Sequence, residues 1–418
     1  MHVSGLECVN CRRTYSPAVI DYFCPACGYN DGILQVLYDY DAVQKELNDE
    51  TLAGNREFSM WRYLPLLPVS NPALIPHLHV GWTPLYETPR LAGELGIAGC
   101  WVKDEGRNPT ASFKDRASAV GVVKALETRA AQITCASTGN AASSLAGFAA
   151  AAGISATIFV PARAPQPKVT QLLVYGARVF SVQGTYDEAW ELCMKASAEF
   201  GWYNRNCAIN PYLIEGKKTV SLELAEQFSR FTPGRFPDWV AVSVGDGCTI
   251  GGVWNGLSEM HRLGILPRLP RILGVQAEGC QPFVTAWRNH NGLTPCEGNT
   301  LADSIAVGHP RSFAKGMRAV NESGGAFVAV SDAKILESIT VMARRAGVFG
   351  EPAGVACVAG VMHAVASGII GRNETAVLIM TGNGLKDVQS ATRAAGAPIA
   401  VRPEMEEVRE TVLAAATK

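Results

Sequence analysis

The chain predicts an α/β fold built from two doubly wound parallel-sheet domains, preceded by a small cysteine-rich element resembling a zinc ribbon. Three observations carry this expectation. From about residue 98 onward, short strand-like runs alternate with amphipathic helical patterns, the signature of parallel strands joined by crossover helices. Glycine is abundant, 41 of 418 residues, and gathers in short loops between apolar runs, as in α/β enzymes whose backbone approaches a ligand. The first thirty residues instead carry paired cysteines, Cys8-x-x-Cys11 and Cys24-x-x-Cys27, and stand apart from the rest.

A chain of 418 residues is too long for one core, so two or three domains are expected. Hydrophobic residues make up 48% and charged residues 18%, an ordinary globular balance. Lys and Arg number 37 against 38 Asp and Glu, a net charge of -1, which argues against nucleic acid or an anionic membrane as partner. The start, Met-His-Val-Ser-Gly-Leu, lacks a positive segment followed by an apolar stretch, so no signal peptide is expected. The most apolar window, Ala141 to Pro161, is broken by serines and glycines and reads as a buried helix plus a strand, not a membrane span. The expected compartment is the cytoplasm, where the 12 cysteines are thiols or metal ligands rather than disulfides.

Taken in order, the first element is the ribbon. Its two pairs are separated by twelve residues, with Gly28 after the second. Each pair makes a tight turn offering two thiolates, and Cys8, Cys11, Cys24 and Cys27 would complete a tetrahedral zinc shell with no open position, hence a structural metal. Residues 39 to 90 are proline-rich and read as irregular chain wrapping a domain surface. Strands then follow at Cys100–Lys103, Gln132–Cys135, Ala156–Val160, Arg178–Val182, Trp239–Val244, Arg271–Gln276 and Ala376–Met380. Helical patterns lie between them at 118–129, 167–175, 186–200 and 332–346.

In such sheets ligands sit beyond the carboxyl ends of the strands. Three loops leave those ends. Ser137-Thr-Gly-Asn140 offers hydroxyls, an amide and free N–H groups at a helix start, suited to a carboxylate or to simple capping. Gly245-Asp-Gly-Cys-Thr249 offers glycines and N–H groups to a phosphate, although Asp246 must then point away. Thr381-Gly-Asn-Gly-Leu-Lys-Asp387 offers a hydroxyl at a strand end. A further segment, Asn108-Pro-Thr-Ala-Ser-Phe-Lys-Asp-Arg116, places Lys114 at a helix start, with Ser112 or Thr110 as cap. There the backbone field favours a neutral amine, the form that attacks a carbonyl to make a Schiff base.

Together and in this order, these motifs resemble the pyridoxal-phosphate enzymes of fold type II, and most closely the threonine synthase family. Ile209-Asn-Pro-Tyr, Glu215-Gly-Lys-Lys-Thr219, Val275-Gln-Ala-Glu-Gly279 and Phe349-Gly-Glu-Pro-Ala353 match that family as well, and its archaeal-type members carry a similar paired-cysteine element. The resemblance implies that Lys114 carries the cofactor as a Schiff base and then removes the α-proton. It implies that Asn140 bonds the cofactor's phenolic oxygen and Thr381 its ring nitrogen. Gly245, Asp246, Gly247, Cys248 and Thr249 would form the phosphate loop, while Ser137, Thr138 and Gly139 would receive the substrate carboxylate. The implied division is a ribbon at 5–38, a larger cofactor-binding domain from 39–110 plus 195–418, and a smaller domain at 111–194, in a homodimer.

The departures bear on the substrate. Where the family has an arginine for the substrate's phosphate stands Leu213, with Lys217 or Lys218 as partial replacements. Thr300-Leu-Ala-Asp-Ser-Ile-Ala306 resembles the serine/threonine dehydratase branch. Two enzymatic expectations follow: O-phosphohomoserine converted to threonine, or β-elimination or β-replacement on a non-phosphorylated amino acid. A ribbon protein that binds nucleic acid without catalysis is disfavoured by the charge balance and by Lys114.

Overall fold

The computed structural model describes residues 1–416 except 21, 165, 233 and 235. Strands β1 (Val3–Cys8), β2 (Thr14–Tyr15) and β3 (Leu34–Tyr38) form an antiparallel sheet in the order β2-β1-β3. After β4 (Leu85–Glu87) and β5 (Gly99–Asp104), a four-stranded parallel sheet takes β6 (Gln132–Ala136), β7 (Ser155–Pro161), β8 (Arg178–Val182) and β9 (Tyr203–Asn204) in the order β8-β7-β6-β9. The chain then adds β10 (Trp239–Ser243), β11 (Arg271–Ala277), β12 (Ala326–Val330) and β13 (Thr375–Met380) to β4 and β5, giving a six-stranded sheet ordered β12-β11-β10-β13-β5-β4.

The predicted strands all form. The six-stranded sheet is not wholly parallel, however, because β4 runs antiparallel to β5 at one edge. Central β10 pairs in parallel with β11 and β13, Val240 lying opposite Ile272 and Val377. Alternate residues of β10 enter different apolar clusters, Val240 and Val242 one, Trp239 and Ala241 the other. A strand buried on both faces needs helices on both sides, which is the doubly wound arrangement. The segment expected to be irregular contains short helices at 40–46 and 49–54 and a 3-10 turn at 60–66, and it enters the interior: Met60, Tyr63 and Leu66 are fully buried. Tyr63 donates to Glu226 at 2.6 Å, and Arg62 makes a bidentate pair with the same carboxylate.

Five helices carry or flank the strand-end loops: α1 (Lys114–Glu127), α2 (Asn140–Ala152), α3 (Tyr212–Phe231), α4 (Cys248–Arg262) and α5 (Pro352–Ala366). Helix α3 lies between α1 and α4. Gly216 makes the first contact possible, since a Cβ there would fall 2.1 Å from the Arg116 carbonyl oxygen. Between the helices sits a buried ionic network. Arg116 pairs with Glu105 at 2.7 Å and Glu223 at 2.6 Å, and Lys103 with Glu223 at 2.7 Å, all with fully buried side chains. This network clamps the first turn of α1 to α3 and β5. No helix among the described residues is long and apolar enough to cross a membrane.

Candidate active site

The loops following β6, β10 and β13 converge on the start of α1. Lys114 is the first residue of α1, with Phe113 as its N-cap. No side chain caps this helix, contrary to expectation: Ser112 Oγ accepts from the Lys114 N–H only at 3.4 Å, and Thr110 is bonded to Asp115 through both its N–H and its hydroxyl. The loop after β13 anchors the turn instead. Phe113 N–H donates to the Thr381 carbonyl at 2.8 Å, and Ser112 bridges Gly382. Thr381 therefore lies one backbone hydrogen bond from the residue preceding Lys114.

The Lys114 amine is pushed down to about 8, chiefly by burial and next by the positive charges of Lys217 and Arg205, with Cys207 and Glu351 opposing. Among the described residues no carboxylate lies within ion-pair distance of it. Lys114 keeps partial exposure, and a half-buried lysine without a carboxylate partner is a ready nucleophile and base near neutral pH.

Asn140 opens α2, whose N-cap is Gly139; no side chain of the loop caps the helix, so Ser137, Thr138 and Asn140 do not act as caps. Ser137 Oγ accepts from the Gly139 N–H at 3.2 Å, while Ser137, Thr138 and Gly139 keep partial exposure at the helix start. The Asn140 amide donates to Glu351 Oε1 at 2.7 Å, and burial raises the Glu351 carboxyl to about 7. Glu351 N–H in turn donates to the Gly382 carbonyl at 3.0 Å, and a Cβ on Gly382 would fall 2.1 Å from Glu351 Oε1. The two loops thus touch through a carboxylic acid for which the sequence suggested no role, though the Phe349–Ala353 motif that contains it was visible.

Helix α4 begins at Cys248, and its N-cap is Gly247 at φ 92°. A side chain at 247 would be strained in that conformation and would meet the Ser312 carbonyl oxygen 2.5 Å away. No side chain caps this terminus, so its first N–H groups are available to an anion. The Asp246 side chain is held elsewhere, accepting from Arg311 N–H at 2.8 Å and from the Cys248 thiol at 3.1 Å. Its carboxyl is pushed up, chiefly by burial. Gly245 and Thr249 remain partly exposed beside it.

Two residues with no sequence signal complete the floor. The Cys207 thiol is held well below its ordinary value by the neighbouring Cys248 thiol and by Lys217 and Arg205, against burial. Arg205 donates to Ser118 Oγ at 3.1 Å and to the Lys114 carbonyl at 3.3 Å. Leu213, by contrast, is fully buried, and its δ-methyl lies 2.8 Å from where a Gly121 Cβ would stand. It belongs to the packing of α3 against α1.

Away from these loops, the ligand atoms of Cys8, Cys11, Cys24 and Cys27 lie within 4.8 Å of one another. The Cys8–Cys27 and Cys11–Cys24 sulfur separations are both 3.7 Å. Tetrahedral ligands at about 2.3 Å from a zinc ion stand about 3.8 Å apart, so the cluster has the dimensions of a four-thiolate site.

Comparison with known proteins matches residues 77–382 to the family described as pyridoxal-phosphate dependent enzyme. The chain is 38% identical to a threonine synthase of Methanocaldococcus jannaschii over 402 residues, 96% of this chain and 97% of the relative. It is 39% identical to a threonine synthase of Methanosarcina acetivorans, covering 97% and 98%. Among solved structures it is similar in fold to an L-serine ammonia-lyase from the fungus Rhizomucor miehei, with TM-score 0.65 and 18% identity over 75% of this chain and 96% of that one.

Proposed function

Because the chain belongs to the pyridoxal-phosphate dependent enzymes, and among them to the threonine synthase family, we propose that it converts O-phosphohomoserine and water into threonine and phosphate. The observation that carries the reading is the Lys114 amine, lowered to about 8 and free of any carboxylate partner among the described residues, at the meeting point of three strand-end loops.

The residues present fit pyridoxal phosphate. The uncapped N-terminus of α4, with Gly245, Gly247 and Thr249, would take its phosphate, helped by the Asp246 and Cys248 backbone N–H groups. Asn140 would bond its phenolic oxygen, Thr381 its ring nitrogen, and Lys114 its aldehyde carbon. When bound, the cofactor supplies an electron sink for the carbanion at the substrate's α-carbon. The protein's own part is orientation and proton transfer. The N–H groups and hydroxyls of Ser137, Thr138 and Gly139 would hold the substrate carboxylate at the start of α2. Lys114 Nζ would take the proton from the α-carbon and return it. In the net change the β-carbon loses a proton and gains the hydroxyl of water, and the γ-carbon loses phosphate and gains a proton. Glu351, with its carboxyl near 7, holds the Asn140 amide in place.

We also propose a structural zinc ion on the four ribbon cysteines, and a cytoplasmic homodimer divided into ribbon, larger and smaller domains at the boundaries the family resemblance implies. Incubation with O-phosphohomoserine, assayed for both threonine and inorganic phosphate, tests the reaction. Release of a 2-oxo acid from serine or threonine, with no threonine made from O-phosphohomoserine, overturns it in favour of a dehydratase.

A further inference from the structure

Most cations buried in this interior meet carboxylates, although Lys315, 3% exposed, instead donates to the Leu34 carbonyl at 2.7 Å. Arg62 pairs with Glu226 at 2.7 Å, Lys103 with Glu223 at 2.7 Å, and Lys218 with both Glu215 at 2.6 Å and Glu259 at 2.8 Å. Lys217 breaks this pattern. It is 3% exposed, yet among the described residues no carboxylate lies within ion-pair distance. Its polar neighbours are the Cys207 and Cys248 thiols; Cys207, held low, offers one negative charge, against the further positive charges of Arg205 and Lys114. Arg205, 2% exposed, likewise spends its donors on Ser118 and a backbone carbonyl. Asp246, an acidic group that feels Lys217, is already engaged by Arg311 N–H and Cys248. One thiolate does not balance the cations gathered here, and a site that concentrates buried positive charge suits an anion that arrives from outside.

The position is specific. The Lys217 Cβ lies 3.0 Å from where a Cβ on Gly252 would stand, so its side chain leaves α3 alongside the first turn of α4. Its ammonium meets the Cys207 thiol, and Cys207 in turn neighbours Cys248, the first residue of that helix, where backbone N–H groups are uncapped. A partly flexible ammonium meeting a helix N-terminus suits a compact dianion.

We propose that Lys217, supported by Arg205, is the cationic anchor for a phosphate monoester dianion at the start of α4. Lys218 cannot share the role, because Glu215 and Glu259 already hold it. The inference rests on the threonine synthase reading for one of its two sources of phosphate, the substrate. The other source is the cofactor's own phosphate.

Lys217→Met and Lys217→Arg separate these sources. For the purified cofactor-free protein, thermal melting with added inorganic phosphate should show stabilisation in the wild type and in Lys217→Arg. Lys217→Met should remain folded without phosphate and lose about tenfold or more in phosphate affinity. If the cofactor-loaded enzyme keeps this Lys217-dependent phosphate affinity, and KM for O-phosphohomoserine rises with kcat little changed, the anchor serves the substrate. If instead Lys217→Met loses the cofactor's visible absorption faster on dialysis, it serves the cofactor. A folded Lys217→Met protein that binds inorganic phosphate and cofactor within about twofold of wild type overturns the proposal. If the wild type makes no threonine while its phosphate affinity still depends on Lys217, the reaction assignment fails and the anchor stands.

Discussion

Glu223→Gln tests the ionic clamp that holds the first turn of α1, and so Lys114, in place. Glu223 is fully buried and accepts from Arg116 at 2.6 Å and from Lys103 at 2.7 Å. Burial alone would raise its carboxyl, but the two cations outweigh burial and hold it near 2, against an ordinary 4.5. A displacement of that size corresponds to about 3 kcal/mol of preference for the charged form in the folded state. Loss of one partner from a buried ion pair typically costs about 3–5 kcal/mol, a similar figure reached independently. In the wild type Lys103 and Arg116 are balanced by Glu105 and Glu223; glutamine leaves two cations against one carboxylate. Urea unfolding at pH 7 should therefore show Glu223→Gln destabilised by about 3 kcal/mol, a large share of a typical folding free energy. The sign with pH comes from the lowered pKa. The Glu223 contribution is complete above about 4.5 and disappears as pH falls toward 2, so mutant and wild type should converge at low pH. Adding Lys103→Met restores charge balance and should recover much of the loss. A single mutant within about 1 kcal/mol of wild type at pH 7 would mean that the clamp carries no net coupling.

Other outcomes rest on the same geometry. Cofactor capture by the cofactor-free protein, followed by visible absorbance, should accelerate as pH rises through about 8 rather than near the ordinary lysine value of 10.5, since only the neutral Lys114 amine attacks; Lys114→Ala should show no such band. Gly247→Ala forces a side chain into a positive-φ position against the Ser312 carbonyl, at a cost of about 1–2 kcal/mol, and should weaken cofactor retention measured by dialysis more than it lowers the melting temperature. Metal analysis should find about one zinc per chain; Cys24→Ser or chelation should lower the melting temperature, while kcat at temperatures below the transition stays near wild type, because a four-thiolate site has no open position for chemistry.

Much of the site was legible because its parts are local. Lys114, the Ser137–Asn140 loop, the Gly245–Thr249 loop and Thr381 each lie within a few residues of a strand end or helix start. The four ribbon cysteines were equally plain from their spacing. Strand β12 was not legible, a five-residue run pressed between two helical patterns, and neither were β4 and β9, which are defined by their partners more than by their own residues. The cap assignments failed for a related reason. Hydroxyls stood at the right offsets, but Thr110 was taken by Asp115 and the turn before Lys114 was held by the loop after β13.

The strand and helix alternation, the lysine suited to a Schiff base and the order of the loops around it follow from the chain's own residues. Those properties depend on periodicity and on short motifs, whose physical content is contained in a few consecutive residues. The tertiary structure alone decided how the charges are matched. Glu351 reaches Asn140 across 211 positions of sequence, Lys218 is absorbed by two carboxylates, Leu213 turns into helix packing, and Lys217 is left without a carboxylate partner among the described residues. The cost of a buried charge depends on what lies within a few ångströms of it, and that is set by how α1, α3 and α4 pack, not by neighbours along the chain.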